Sequence, residues 1–506
     1  MLCYNVFSGI LRRFDAVCSK AGFGMVKGLK AITIIATVAI VLCLLLYRPY
    51  DMPYTEKMIG AATADPLHDV LPSVPPSPTP DPSVLQQSAA YFEEGVRLLG
   101  LKQYEQAKNC FLKVSEQDTR HYDKARELLA ECLAAIKEIR LDAARASFEK
   151  AHYRECLSIL EEGLLDLPGD PDLTNLAGQA QQKLDNPVLY EGPVYHIFFH
   201  SLIVYPELCF TGDAMSDGYN KWMTTVREFK IILDQLYDRG YVLIDIMDMF
   251  TWDNTGKVIR KDLYLPEGTR PLLLSVDNVS YEAYRSEDGF ATRLVLDDNQ
   301  EVATLVKTPE GKEIITRDGD VMPILDDFVK KHPDFSPANA KGIIALNGYE
   351  GILGYRTNRN NPHWEQEKSK VLPIVEALKS NGWRIANHSW SHSRIFSDKR
   401  ITLEELISDT EKWEEEVASI TGTTPIYITP FGIELPPDDP RMRYLVSRGY
   451  HIFCSVGNRA YYHIFGDYVM MERINIDGYK MNYSRKALEP LIDIDAVYDP
   501  ARPPMQ

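Results

Sequence analysis

The pattern of apolar and polar positions divides the 506-residue chain into three regions. Residues 31–47 form a continuous apolar run without charge, AITIIATVAIVLCLLLY. Between residues 86 and 186, apolar residues recur at helical spacing, which predicts a small all-α domain. From residue 187 onwards, short apolar runs alternate with amphipathic stretches, and this pattern is typical of parallel βαβ units.

The apolar run at 31–47 predicts a single transmembrane helix, since its length is at the short end of those that cross a bilayer. Lys27 and Lys30 precede it, so we expect residues 1–30 in the cytoplasm and everything after Arg48 outside the cell membrane. A cleaved signal peptide is the alternative. No small-residue cleavage site follows the run, which favours a retained anchor.

A linker and a helical domain follow the anchor. Residues 48–85 are rich in proline, which restricts the backbone, so we expect a semi-rigid spacer. Within 86–186, the strings KQYEQAKNCF and AHYRECLSIL align Tyr104 with Tyr153 and loosely resemble tetratricopeptide-type helical repeats. Two interpretations stay open for this domain: a groove that binds a protein partner, and a helical spacer.

Residues 187–506 predict an α/β domain, a closed or distorted (β/α) barrel. Amphipathic helices are expected at 220–239, 368–381 and 403–421. Such barrels place their chemistry on loops at the carboxyl ends of the strands. Residues 285–320 interrupt the pattern with polar–apolar alternation and predict a β-hairpin insertion at the rim. The predicted strands are 194–200, 241–247, 270–277, 341–348, 383–389, 423–431, 450–456 and 469–476.

Composition narrows the choice of partners. The formal net charge of −17 argues against nucleic acid, because phosphates would be repelled. The eight cysteines form no CxxC pair, so we expect no zinc–thiolate cluster. Cys209 and Cys454 lie in the same domain and form a disulfide only if the fold brings them together.

The strongest chemical signal is the string NHSWSH, which contains His388 and His392. On a strand these residues would lie about 13 Å apart. On a helical turn their Cβ atoms approach to about 5–6 Å, close enough for both rings to bind one metal ion. We therefore expect a strand that ends at Ala386 and a helical turn from His388. Asp277 ends the apolar run RPLLLSVD, where a carboxylate is costly to bury unless it is paired or used.

Together, SVDN at 275–278 and NHSWSH resemble the motifs of NodB-homology polysaccharide deacetylases, carbohydrate esterase family 4. The resemblance covers most of 193–506, including YHIFFHSL, GYVLIDIMDMF and ITPFG. It implies a distorted (β/α) barrel of the NodB type. It also implies a hydrolase of carbon–nitrogen bonds that removes acetyl groups, chiefly N-acetyl, from peptidoglycan or another extracellular polysaccharide. The expected cofactor is a divalent metal, zinc, with cobalt or nickel as alternatives.

The resemblance also implies roles for individual residues. Asp277 takes the place of the general base, and His388, His392 and Asn278 match the metal ligands. The alternative is that Asp277 itself binds the metal and that there is no separate base. A backbone N–H near Phe431 or Gly432 would stabilise the oxyanion. Trp390 is expected either to stack on a sugar or to steady the histidine turn.

Further residues are weaker candidates. His200 ends the first predicted strand and could lie near the site, although we interpret it as structural rather than catalytic. Other possible neighbours of the site are Tyr349–Arg356, Asp245, Glu434 and His463.

The sequence departs from the family pattern at three points. Asn278 replaces the aspartate that binds metal, and an amide oxygen binds a divalent cation less strongly. Ile428 stands where an arginine usually tethers the base, so Asp277 is expected to lack a tether. The histidine acid is absent, and Asp493 and Asp495 are the candidates to replace it.

These departures leave two alternatives to an N-deacetylase. One is an impaired, deacetylase-like protein that binds glycans or acts as a scaffold. The other is an O-acetyl esterase, because an alkoxide leaves more readily than an unprotonated amine. The preserved histidines and Asp277 favour an active hydrolase.

Overall fold

A computed structural model describes residues 81–397 and 399–505. The predicted cytoplasmic segment 1–30, the anchor 31–47 and nearly all of the linker 48–85 lie outside the described residues. None of the helices in the described ranges has the length and hydropathy of a membrane span.

Five helices occupy the region where a helical domain was predicted. Proline at the first position favours the start of α1, and the carboxylate of Asp81 caps that helix by accepting from the N–H of Ser83 at 2.8 Å. The long helix α3 contributes to both apolar clusters of this domain, with Ala125 and Leu129 in one and Leu141 in the other. Whether the helices are tetratricopeptide-type repeats stays a prediction. The helices are α1 Pro82–Gly100, α2 Tyr104–Phe111, α3 Tyr122–Glu149, α4 Tyr153–Asp166 and α5 Pro171–Asp185.

The C-terminal domain is built on a closed ring of parallel strands, which confirms the predicted (β/α) barrel. In the described residues the ring runs β7–β11–β12–β13–β14–β16–β2 and returns to β7. Strand β3 pairs with β7 outside the ring, and β15 pairs antiparallel with β16. The strands are β1 Val188–Leu189, β2 Tyr195–Phe199, β3 Tyr241–Leu243, β4 Phe250–Trp252, β5 Val258–Arg260, β6 Tyr264–Leu265, β7 Arg270–Asp277, β8 Ala291–Leu296, β9 Val302–Lys307, β10 Glu313–Thr316, β11 Ile343–Leu346, β12 Arg384–Asn387, β13 Ile426–Ile428, β14 Ile452–Val456, β15 Tyr462–Ile464 and β16 Val469–Asn475.

Helices cover the outside of the ring. The amphipathic helix predicted at 403–421 is interrupted by a π-helical turn at Glu414–Ala418. The helices of this domain are α6 Pro206–Cys209, α7 Ser216–Trp222, α8 Val226–Asp238, α9 Ile246–Met249, α10 Val321–Lys331, α11 Trp364–Ser380, α12 Leu403–Trp413, α13 Ser419–Thr421, α14 Pro440–Ser447, α15 Gly478–Tyr483, α16 Arg485–Leu488 and α17 Ile494–Val497.

Three local predictions differ from the structure. The strand predicted at 241–247 ends at Leu243, because Asp245 forms a capping box that starts α9. The helix predicted at 220–239 is divided into α7 and α8, since Thr225 caps α8. The insertion is a three-stranded antiparallel sheet, β8 to β10, rather than a hairpin.

Along strand β7, the side chains that face the inside of the barrel become polar towards the carboxyl end of the strand. Leu272, Leu274 and Val276 pack in the cluster shared with the surrounding helices. Side chains alternate along a strand, so Ser275 and Asp277 face the inside of the ring. The thiols of the described cysteines are free, so a Cys209–Cys454 disulfide is absent from the described residues.

The helical domain packs against the amino ends of the barrel strands. The His152 ring stacks on Tyr237, with centroids 3.6 Å apart and an angle of 9° between the planes. The carboxylate of Asp334 accepts hydrogen bonds from the backbone N–H groups of Arg154 and Glu155, each at 2.9 Å. These two groups belong to the first turn of α4, which has no intrahelical acceptor for them.

Candidate active site

A cleft of about 400 Å³ opens at the carboxyl ends of the barrel strands. Strands β2, β7, β12, β13, β14 and β16 all contribute residues at or just beyond their ends. Six of the residues singled out in the sequence line it together: Asp277, Asn278, His388, His392, Phe431 and Gly432.

The carboxylate of Asp277 is buried and paired with Arg473 of β16. Arg473 Nη1 donates to Asp277 Oδ1 at 2.7 Å and Nη2 donates to Oδ2 at 2.9 Å. The expectation that Asp277 lacks a tether because of Ile428 is therefore wrong: the arginine comes from another strand. Burial alone would raise the pKa of Asp277, but the charge of Arg473 outweighs it and holds this pKa well below its usual range.

Several contacts fix the guanidinium of Arg473. Its Nη1 donates to Ser275 Oγ at 3.1 Å, and its Cζ lies 4.1 Å from the centroid of the Phe198 ring. The ring nitrogen Nε2 of His196 lies 3.0 Å from the same Ser275 hydroxyl. The carboxylate of Asp277 is thus held by a buried network at the floor of the cleft.

The two histidines lie on a turn after β12, but the turn is not helical. Strand β12 ends at Asn387, and Ser389 and His392 have positive φ values of 60° and 44°. The carboxylate of Asp409 holds this conformation by accepting from the N–H groups of Trp390 and Ser391, at 2.7 and 2.9 Å. The histidine rings still meet, with centroids 4.9 Å apart.

The tautomer of His388 is set by its surroundings. A carbonyl can only accept, so Nδ1–H donates to Ile428 O at 2.8 Å and leaves Nε2 with a lone pair. That Nε2 lies 3.9 Å from Asp277 Oδ2. Burial lowers the pKa of His388 to about 3, against the opposing effect of Asp277, so the ring is neutral.

This arrangement fits a cation. A neutral nitrogen lone pair and a carboxylate face each other, and the Nδ1–H···O=C bond is typical of metal-binding histidines. However, no group of three or more His, Cys, Asp or Glu side chains in the described ranges is placed to hold a metal ion. Asn278 lines the cleft with His388 and His392 and is the candidate third ligand beside these two histidines: its Oδ1 accepts from Asn347 Nδ2 at 2.8 Å and keeps a second lone pair.

Of the two residues expected at the oxyanion, Phe431 is the better placed. The N–H of Gly432 is already used, since it donates to Thr429 O at 3.0 Å. Phe431 has a positive φ of 57°, and its ring lies 4.5 Å from that of His392. The unusual backbone conformation therefore occurs at the rim of the cleft.

Three predicted residues do not line the cleft. Trp390 donates from Nε1 to Glu416 Oε2 at 2.9 Å, so it steadies the histidine turn rather than meeting a sugar. The expectation of an acid at Asp493 or Asp495 is contradicted by their positions. Asp493 caps α17, and Asp495 pairs with Arg485 on the surface at 2.6 Å. The weaker candidates do not line the cleft either. They are Tyr349–Arg356, Asp245, Glu434 and His463.

Arg473 and Asp477 line the cleft but were missed as functional candidates, whereas His200 was expected near the site and does line it. His200 follows β2, where we interpreted it as structural, and burial lowers its pKa to about 4. Asp477 follows β16 and is 2% exposed. Its Oδ1 accepts from the N–H of Lys480 at 2.7 Å, and burial raises its pKa to about 6. For Asp477, the available signal was its position directly after the predicted strand 469–476.

Comparison with known proteins agrees with this geometry. Residues 357–435 match the family model for polysaccharide deacetylase. The match contains the histidine turn and Phe431, but neither Asp277 nor Arg473. No curated protein and no solved structure matches the chain. The closed parallel barrel fits a NodB-type fold, and the matched polysaccharide deacetylase segment supports deacetylase-type hydrolysis in general.

Proposed function

We propose that this protein is a metal-dependent hydrolase that removes N-acetyl groups from a polysaccharide outside the cell. The observation that carries the proposal is the meeting of Asp277, His388 and His392 in one cleft, with Arg473 holding the carboxylate. A binding module would have no need of a buried, ion-paired carboxylate beside two histidines.

The metal would be held by His388, His392 and Asn278. Imidazole nitrogens suit zinc, with cobalt and nickel as alternatives. When bound, a divalent metal polarises the acetyl carbonyl and lowers the pKa of water.

Asp277 is the proposed general base. Arg473 keeps its carboxylate ionised and fixes its orientation, so Asp277 is ready to accept a proton from the attacking water. The N–H of Phe431 is the proposed donor to the acetyl oxygen as that oxygen gains negative charge.

Asp477 is the proposed acid, in place of Asp493 and Asp495. Strands β13 and β14 lie between β12 and β16 on one side of the ring, and β11, β7 and β2 lie between them on the other. Asp477 therefore faces the histidines across the cleft. Its raised pKa keeps a fraction of this carboxyl protonated near neutral pH.

The setting of the enzyme is part of the proposal. Segment 31–47 would anchor the chain to the cell membrane, with the described domains outside and within reach of peptidoglycan or a secreted polymer. The helical domain would act as a spacer or bind a protein partner.

The test is acetate release from N-acetylated and O-acetylated polysaccharides, with added zinc or cobalt and with a chelator. We expect metal-dependent release from the N-acetylated polymer, and its loss in His388→Ala. His363→Ala is a matched control, because His363 is exposed and lies outside the cleft. Release from O-acetylated polymer alone would favour the esterase. No release from either, with glycan binding intact, would favour a protein that only binds glycans.

A further inference from the structure

Three exposed aromatic rings extend the cleft along one rim. Trp222 lines the cleft and is 46% exposed. It stacks on Tyr479, with centroids 5.3 Å apart and 28° between the planes. Tyr479 in turn lies 5.0 Å from Tyr483, and these two tyrosines are 40% and 55% exposed. We call these three rings the aromatic platform.

Buried contacts fix the platform from below. The side chains of Arg502 and Glu228 form an ion pair that is inaccessible to solvent. Arg502 also donates to the carbonyl oxygens of Met223 at 2.6 Å and Asn220 at 2.8 Å, which flank Trp222 in the chain. The aromatic platform is therefore preorganised on a rigid base.

A glycine allows the two helices of the aromatic platform to meet. Gly478 begins α15, and a Cβ at this position would lie 1.9 Å from the backbone oxygen of Asn220. Any larger residue would push α15 away from α7 and separate Tyr479 from Trp222. The close approach thus serves to bring the exposed rings together.

The chemistry of the aromatic platform favours a neutral ligand. Contiguous exposed aromatic surface is typical of a recognition site rather than of ordinary surface. The neighbouring cations are already bonded: Lys221 pairs with Asp217 at 2.6 Å, and Lys480 donates to Asn458 Oδ1 at 2.6 Å. A pyranose ring meets these conditions, because one of its faces presents C–H groups and its hydroxyls lie at the edge.

We propose that the aromatic platform binds neutral sugar units of the same polysaccharide, next to the unit whose acetyl group enters the cleft. This inference rests on the proposed function for the identity of the polymer. Because Trp222 belongs both to the cleft and to the aromatic platform, the chain recognises several consecutive units rather than a single sugar.

Binding to the chelator-treated full-length protein tests the platform without catalysis. The probes are a hexamer of N-acetylglucosamine and a hexamer of glucose. Titration calorimetry measures the Kd of each. We expect Trp222→Ala and Tyr479→Ala each to raise Kd about tenfold, which corresponds to about 1.4 kcal/mol, because each removes one ring on which a sugar would stack. Trp222→Phe should recover most of the affinity, which guards against a folding defect.

Two controls separate this inference from the proposed function. Tyr264→Ala removes an exposed tyrosine of β6 outside the cleft and should bind like wild type. His388→Ala should also bind, although it releases no acetate. In active protein, the platform variants should raise KM for the hexamer far more than they lower kcat.

The possible results test the aromatic platform and the proposed function separately. Unchanged affinity in both platform variants, or no binding of either hexamer by wild type, overturns the aromatic platform. Weakened binding in those variants supports it even where no acetate is released. Acetate release with unchanged hexamer affinity leaves the proposed function standing and removes this inference alone.

Discussion

At the scale of single residues, the site depends on a buried ion pair whose two members are far apart in the sequence. Asp277 ends β7, and Arg473 lies near the end of β16, yet their side chains form two parallel hydrogen bonds. A bidentate guanidinium fixes the plane of the carboxylate as well as its charge. The position two residues before Pro430 is thereby free to be Ile428, which packs in the apolar cluster inside the barrel.

Arg473→Gln tests this pair. It leaves the Asp277 charge buried without its partner, so we expect a loss of about 3–5 kcal/mol in the free energy of unfolding. Denaturant unfolding measures the loss, and acetate release should fall together with it. In the double variant Asp277→Asn/Arg473→Gln much of the stability should return, but not the activity. Arg443→Gln, which breaks a surface pair with Asp467, should cost under about 1 kcal/mol. Equal stability of both arginine variants would contradict the role of Arg473.

The proposed role of Asp477 as acid predicts how the rate of acetate release depends on pH. A proton donor works in its protonated form, and the pKa of Asp477 is raised to about 6. Acetate release from an N-acetyl substrate should therefore fall as the pH rises through about 6. Asp477→Asn keeps a residue suited to capping α15, but it should lose this pH limb and slow amide hydrolysis by about 10²–10⁴-fold. Hydrolysis of an acetyl ester should change much less. A variant that retains the same pH profile would remove Asp477 from the proton transfer.

At the scale of secondary-structure elements, local pattern predicted most of the strands, and tertiary contacts explain the exceptions. Strands β2, β7 and β16 can be predicted from their apolar runs alone, without knowledge of the strands they pair with. The histidine turn differs, because its shape depends on Asp409, which lies on a helix that comes later in the chain. From the sequence alone, we expected a helical turn to bring His388 and His392 together. In the structure, positive φ angles at two residues of the turn bring the rings together instead.

The residues of the candidate site also fall into two groups: those that local sequence predicted, and those that depend on the tertiary fold. Asp277, Asn278 and both histidines were predicted because each lies in a short motif at the end of an apolar run. Arg473 lies within β16 and Asp477 follows it, yet nothing local shows that β16 pairs with β2 and so faces Asp277. Strand order in the ring is a property of the whole domain, and it decides which strand ends share the cleft.

At the scale of the whole described molecule, the two domains meet at the end of the barrel opposite the cleft. Asp334 precedes β11 and Tyr237 ends α8, so both belong to the amino side of the ring. The cleft lies beyond the carboxyl ends of the same strands. Contacts of the helical domain therefore act on stability and position, while the chemistry is confined to the other face.

Asp334→Ala tests this separation. The variant removes the acceptor of two N–H groups in the first turn of α4, so we expect a loss of about 1–2 kcal/mol in the free energy of unfolding. The kcat/KM for acetate release should stay at the wild-type value, because the cleft is unaffected. Asp238→Ala is the matched control: it breaks an exposed pair with Lys150 at the same interface and should cost under about 1 kcal/mol. If Asp334→Ala instead slowed acetate release without lowering stability, the helical domain would act on the cleft, and the two faces of the barrel would not be independent.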